Sequence, residues 1–279
     1  MTRPKDLDPS SNPRALLGAE LRHARERAGL SQEALGAPLF VSGSFIGQLE
    51  AGTRRMHLEY ARHFDAVLDT GGFFARNCGA LAKSRYPDHF AEAAEAEAVA
   101  TAIREYAPQL IPGLLQTQGY ARAVFCDGRP SATDGEIDAL VAARLDRSRL
   151  LDDPTTPLLW TILDESILRR EVGGPSVMAE ALRHVATLGR KRRVIVQVLT
   201  FAAGGHMAME GPLKLMVCPD AAPLVYLQGF RTGRLEDDPA SVAQYELAYD
   251  LLGASALSPR ESLALIESVA QDYAHEEQP

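Results

Sequence analysis

Cysteine is scarce: Cys78, Cys126 and Cys218 are the three in 279 residues, far apart and odd in number. That argues against a disulfide framework and leaves no C-x-x-C spacing for a structural metal or a redox pair. Incidental thiols in a reducing cytoplasm are the expectation. Long apolar runs are missing too, and nothing approaches the ~18 residues of a membrane-spanning helix. The opening "MTRPKDLDPSSNPR" lacks the apolar core of a secretory leader, so neither membrane nor export is expected. Excess positive charge is also absent: the formal net charge is −8 and the pI about 5.4. Spread evenly, that acidity would count against a nucleic-acid partner. No P-loop, no G-x-S-x-G elbow and no G-x-G-x-x-G fingerprint is present, and no internal repeat.

What is there is a globular composition, 46% apolar and 24% charged, in a chain long enough for two ordinary domains. The acidity is unevenly placed. Residues 1–83 hold 11 Lys and Arg against 9 Asp and Glu, and the remainder holds 18 against 28. The first part therefore escapes the inference drawn from the whole-chain pI.

Residues 1–13, rich in Pro, Ser and Asp, read as a mobile tail. From Pro13 to about Ala28 the spacing of Leu16, Leu17, Leu21 and Ala24 predicts a helix, stopped by Gly29. Ser31 and Ser42 are placed to cap a second and third helix. Two further helical segments, "HLEYARHFDAVLD" and "GFFARNCGALAKSRY", make five short helices in a domain over residues 14–83. An Ala/Glu-rich stretch follows, read as a helical connector over about 88–107 that ends at Pro108. It opens a second domain over 84–279. There Thr133 and Glu136 form a capping box. "PLLWTILD", "RVIVQVLTF", "GPLKLMVCP" and "PLVYLQGF" read as strands, with "PSVMAEALRHVATLG" a helix between the first two. Two helices close the chain, the last with Ser258, Pro259 and Glu261 as cap, first-turn proline and box partner. The expected fold class is an all-α five-helix domain followed by a mixed α/β domain with a small sheet.

The segment "SQEALGAPLFVSGSFIGQLEAG", residues 31–52, carries the chemistry. Leu35, Leu39, Val41, Ile46 and Leu49 fall at inward positions of two helices, and Gly36 permits close approach between them. That is the requirement of a helix-turn-helix. Ser42, Gly43, Ser44, Gly47 and Gln48 are expected to point outward. Gln can read adenine with two hydrogen bonds, and Ser can contact several bases. Gln32 is placed for a phosphate contact, and Arg54 and Arg55 for neutralising backbone charge.

"LRHARERAGLSQEALGAPLFVSGSFIGQLEAGTR" resembles the lambda-repressor-like (XRE) helix-turn-helix family over about residues 14–75. The resemblance implies a five-helix DNA-binding domain acting as a dimer on a palindromic operator. Phe40 stands where that family usually has Gly, and Pro38 lies near the end of the first motif helix. Over about residues 90–273, "IREYAPQLIPGLLQTQGYARAVF", "LDESILRREVGGPSVMAEALRHV", "VIVQVLTFAAGGHMAMEGPLKLM" and "ALSPRESLALIESVAQ" resemble the WhiJ-like actinobacterial regulators. That implies transcriptional control, often beside a gene for a small antagonist protein. Many relatives carry an acidic residue where this chain has Gln228 and Gly229.

Catalysis is weakly supported. His206 lies on a Gly-rich loop with Glu210 nearby, but no further ligand for a metal is evident. Asp164 and Glu165 could pair as carboxylates, though a strand-end cap is the simpler role. Arg231 and Arg234 sit near one strand-end loop. The run "GRKRR", residues 189–193, is expected to complement a helix dipole and face water. The sequence therefore points to a DNA-binding transcriptional regulator in the cytoplasm, without cofactor, metal or catalytic residues. Its second domain would sense a small-molecule signal or bind a small partner protein encoded nearby. The alternative is an antitoxin-like interaction module that binds DNA mainly to regulate itself.

Overall fold

The computed structural model describes residues 13–78, 86, 88–219 and 221–276. The tail expected before Pro13 lies outside the described residues, as does the latter part of the fifth expected helix. The chain divides into two compact units. The first holds the residues up to Ala100 together with Met216–Tyr226 and Thr232–Ala243; the second holds Thr101–Leu215, Leu227–Arg231 and the residues from Gln244 onward.

The first unit begins with five helices, α1 (Pro13–Arg27), α2 (Gln32–Gly36), α3 (Gly43–Glu50), α4 (Leu58–Leu68) and α5 (Phe73–Cys78). Their apolar stripes meet in one core that includes Leu17, Leu21, Leu35, Phe45, Ile46, Leu49, Phe64 and Phe74. Leu16 departs from the expected stripe and is exposed, since it sits a fifth of a turn or more from the Leu17–Leu21–Ala24 line. Ser31 Oγ accepts from Ala34 N and Ser42 Oγ from Phe45 N, so both predicted caps are formed. Gly18 sets how closely α1 can approach α3: a Cβ there would lie 2.6 Å from the carbonyl oxygens of both Leu49 and Glu50. Gly36 does the same for the turn, where a Cβ would lie 2.6 Å from the Val41 oxygen. Between α2 and α3 a 3-10 turn over Ala37–Leu39 contains Pro38, and Phe40 ends it in the left-handed conformation, φ 55°. The unit also contains α6 (Asp88–Val99) and strand β6 (Thr232–Glu236).

The stretch read as a helical connector is corrected in its second half. Helix ends at Val99, and Ala102–Ala107 is strand β1. The buried residues of β1, Ile103, Tyr106 and Ala107, recur at intervals of three and four, so the sequence imitates a helical stripe.

The second unit is α/β. After β1 come α7 (Gln118–Gly128), α8 (Asp134–Ser148), β2 (Leu158–Asp164), α9 (Glu165–Arg169), α10 (Pro175–Arg190) and β3 (Val194–Leu199). β2 runs parallel to β1, in register Ala102 to Leu158, and β3 parallel to β2, Leu159 to Val194. Parallel neighbours need long crossovers, which these helices supply. β4 (Leu213–Val217) and β5 (Leu224–Gly229) precede β6, and the six strands are ordered β3-β2-β1-β4-β5-β6. The two residues between β5 and β6 include Arg231 at φ 57°, the left-handed backbone of a tight hairpin. β6 is the strand the sequence concealed, since "RTGRLEDD" reads as a polar loop.

α11 (Pro239–Ser255) and α12 (Pro259–Glu276) close the chain, and α12 packs along α10. Predicted capping boxes at Thr133–Glu136 and Ser258–Glu261 are both made. A chain of buried polar groups ties the second unit together. Tyr249 donates to the Trp160 carbonyl at 2.8 Å, Trp160 Nε1 to Gln197 Oε1 at 2.8 Å, and Gln197 Nε2 to the Leu257 carbonyl at 2.9 Å. Among the described residues no helix is long and apolar enough to cross a membrane.

Candidate nucleic-acid interface

Helix α3 is short, and its footing is ionic. Glu50, at its end, is fully buried. Arg25 of α1 donates to it through Nε and through Nη2 at 3.0 Å, and Gln32 Nε2 donates at 2.9 Å. Arg22 Nε adds a further cation 3.6 Å away. A buried carboxylate survives only with such compensation. The same contact, led by the hydrogen bond to Glu50, holds the Arg25 guanidinium above its ordinary value despite burial. Glu50 and Arg25 escaped the sequence reading, because nothing local links residues twenty-five apart.

The expected contact residues divide into two sets. Ser44, Gly47 and Arg55 are partly open to solvent, on and just after α3. Gln32 lies against Gly47, and its amide nitrogen is engaged by Glu50 rather than left toward a phosphate. Gly43 and Gln48 are corrected: both were expected outward and both are buried. Gly43 lies beneath the Glu33 side chain, whose carboxylate would be 2.7 Å from an added Cβ. Gln48 is 1% exposed. Its Oε1 accepts a long 3.5 Å bond from Arg54 Nη1, while the buried Nε2 has no acceptor among the described residues.

Arg54 and Ser42 have acidic company. The Arg54 guanidinium stacks on the Phe45 ring, 4.2 Å from its centroid. Its Nη1 lies 3.3 Å from Asp237 Oδ2, and its Nε lies 3.8 Å from Glu92 Oε2. Ser42 Oγ donates at 3.5 Å to the same Asp237 oxygen. Glu92 also accepts from His57 Nε2. All six residues belong to the first unit. Their charges respond in kind. The Glu92 hydrogen bond holds His57 above its ordinary value against the pull of burial. Burial opposes the charge on Glu92, yet the His57 bond and the Arg54 cation bring its carboxyl below the usual range. At Asp237 burial wins and raises the carboxyl, although Arg54 opposes it.

The second unit brings together other residues the sequence singled out. Asp164 Oδ1 accepts from Ser166 N as the cap of α9, and Glu165 Oε2 accepts from Phe201 N. At the ends of β1 and β2, Tyr106 Oη lies 3.4 Å from Asp164 Oδ2 and 3.3 Å from His206 Nε2. Burial and the Asp164 charge push the Tyr106 phenol well above its ordinary value. These bonds tie the Gly204–Gly205 loop to the strand ends. Among the described residues no group of three or more His, Cys, Asp or Glu side chains is gathered to hold a metal.

Comparison with protein families assigns both halves. Residues 16–72 match a helix-turn-helix domain. Residues 90–268, well over half of the chain, match a domain of unknown function, DUF5753. The chain belongs to the DUF5753 family. No curated protein and no solved structure matches it. Glu92 and Asp237 thus fall within the DUF5753 span, whereas Ser42, Arg54 and His57 fall within the helix-turn-helix span. The N-terminal part of this DUF5753 protein is that of a helix-turn-helix DNA-binding regulator.

Proposed function

We propose that this protein is a sequence-specific transcription regulator of the lambda-repressor-like (XRE) kind, a homodimer acting on a palindromic operator in the cytoplasm. α3 enters the major groove, Ser44 and Gly47 face base edges, and Arg55 holds the backbone. The helix-turn-helix that keeps Ser44 and Gly47 of α3, and Arg55 just after it, partly open to solvent carries this reading. The DUF5753 region receives the controlling input, and its likeness to WhiJ-like actinobacterial regulators supports that role. It is a binding region rather than an enzyme, a view favoured by the structural bonds of Asp164, which caps α9, and Glu165, which accepts from Phe201 N.

Genome-wide mapping of bound sites tests the reading. Half-sites about 34 Å apart, one turn of DNA, are expected of a dimer. Arg55→Ala should weaken binding to every sequence and flatten its salt dependence, while Ser44→Ala should relax preference at one position per half-site. If both variants bind like the parent, the groove placement is wrong.

A second reading, a module that chiefly binds a small protein encoded nearby and touches DNA for autoregulation, is favoured by one loop. Phe201, Met207 and Met209 are 62%, 55% and 72% exposed within nine residues, and exposed apolar side chains so close together suit a protein partner. Measuring promoter affinity with and without the neighbouring gene's product separates the two readings.

A further inference from the structure

Of the two arginines that follow α3, Arg54 is already partnered, and its partners are acids. We propose that Glu92 and Asp237 occupy the place of a DNA phosphate on Arg54 and Ser42, so that the first unit as folded here is a closed, self-inhibited form of the DNA-binding surface. The inference rests on the proposed groove placement and adds its control.

Four observations support it. Two carboxylates converge on Arg54 and the start of α3: Asp237 Oδ2 touches both Arg54 Nη1 and the capping hydroxyl, and Glu92 Oε2 lies 3.8 Å from Arg54 Nε. A helix start of this kind attracts anions through its free N–H groups and dipole. Next, the contact covers Arg54, leaving its side chain 12% exposed. A guanidinium committed there cannot also neutralise a backbone charge.

The closed contact is also poorly satisfied, which makes it reversible. The carboxylate distances of 3.3 and 3.8 Å are longer than the ~2.7–2.9 Å of a strong charge-assisted bond. Among the described residues, neither Arg54 Nε nor Gln48 Nε2, both buried, has a hydrogen-bond acceptor. A phosphodiester brings additional acceptor oxygens to the same donors. Opening therefore exchanges a loose set of partners for a fuller one, and the two forms differ in affinity for DNA as any switch must.

The residues are also suitably carried. Glu92 lies on α6, and Asp237 directly follows β6. Both elements lie outside the helix-turn-helix span, in the span that the proposed function makes the receiver of the signal. An input that moved either element would free Arg54 without touching α3.

The test uses the full chain, a duplex from upstream of its own gene, and a mixed-sequence duplex of similar length. Glu92→Gln with Asp237→Asn should tighten binding to both duplexes by about tenfold, since backbone contacts are independent of sequence and removing a closed form raises the competent fraction. Glu171→Gln with Asp272→Asn removes the same charge at two exposed positions and should change affinity less than about twofold. Should the two double variants gain equally, or the first gain nothing, the inference fails. A second measurement avoids substitution. Adding the mixed-sequence duplex to the unaltered protein should speed amide exchange at residues 90–94 and 235–238; unchanged or slower exchange there overturns the proposal. If the upstream duplex binds no better than the mixed one, the operator reading fails instead, and the gain on both duplexes still decides the closed form.

Discussion

Arg25 reaches from α1 to the buried Glu50 of α3 and fixes the end of the helix that would meet DNA. The pair is costly to halve. Arg25→Ala leaves a fully buried carboxylate with, among the described residues, Gln32 and the more distant Arg22, and removing one partner of such a pair typically costs ~3–5 kcal/mol. Chemical denaturation should show a loss of that order in the first unit's transition. Glu50→Gln, which removes the charge needing compensation, should cost less. Equal losses would mean that packing rather than charge governs the site.

Phe40 offers a cleaner backbone test. It sits at φ 55° and is 99% exposed, so its side chain contributes almost no packing. The left-handed conformation costs an L-residue ~1–2 kcal/mol, and glycine regains that at ~0.5–1 kcal/mol of extra unfolded-state freedom. Phe40→Gly should therefore stabilise by ~0.5 kcal/mol, and Phe40→Val should destabilise by ~1 kcal/mol, a β-branched side chain being poorly tolerated there. The denaturation midpoints of the two variants should bracket that of the parent; the opposite order would remove strain from the account of this turn.

The contrast between what the sequence disclosed and what it hid follows the range of the interactions. Caps at Ser31, Ser42, Thr133 and Ser258 depend on neighbours three residues away, and each was legible. So were the β-branched runs of β2 and β3, bounded by turn residues. β1 was misread because Ile103, Tyr106 and Ala107 share a helical spacing, and only pairing with β2 decides between the two forms. The engagement of Arg54 depends on Glu92 and Asp237, the latter more than 180 residues along the chain. No local pattern could carry that contact. The motif was therefore readable in the sequence, whereas the state of its surface was not.

The basic run at 189–193 shows the same limit and yields a graded prediction. Its members looked alike in sequence, a wet cluster at a helix end. In the fold Arg193 alone binds four carbonyls: Leu151 at 2.9 Å, Pro157 at 2.8 Å, Thr156 at 3.0 Å and Leu150 at 3.4 Å. Arg190 pairs with Glu267 across to α12. Arg193→Ala should cost ~2–3 kcal/mol, because the carbonyls lose a charged donor. Lys191→Ala, at an exposed position, should stay within ~0.5 kcal/mol. Thermal denaturation of the two variants checks the ranking, and similar melting temperatures would refute it.

His57 gives a pH signature to the acidic contact. Its partner Glu92 raises it, burial and the nearby Arg54 and Arg55 cations lower it, the Tyr60 ring stands edge-on beside it, and the net shift is upward. A histidine raised on folding stabilises the protein below its unfolded value, ~6.5, and that contribution fades as pH climbs through the raised folded value. His184 works in the opposite sense. Burial lowers it, so its neutral form favours the fold above ~6.5 and its contribution is lost as pH falls through its lowered value. The whole-protein pH profile therefore mixes two signs, and a variant is needed to isolate one. The stability difference between the parent and His57→Gln should be largest near pH 6 and shrink toward pH 8. Glu92→Gln should abolish that slope, because it removes the acceptor that raises the histidine. A difference that stays flat from pH 6 to 8 would mean that the His57–Glu92 contact contributes no proton-linked stability.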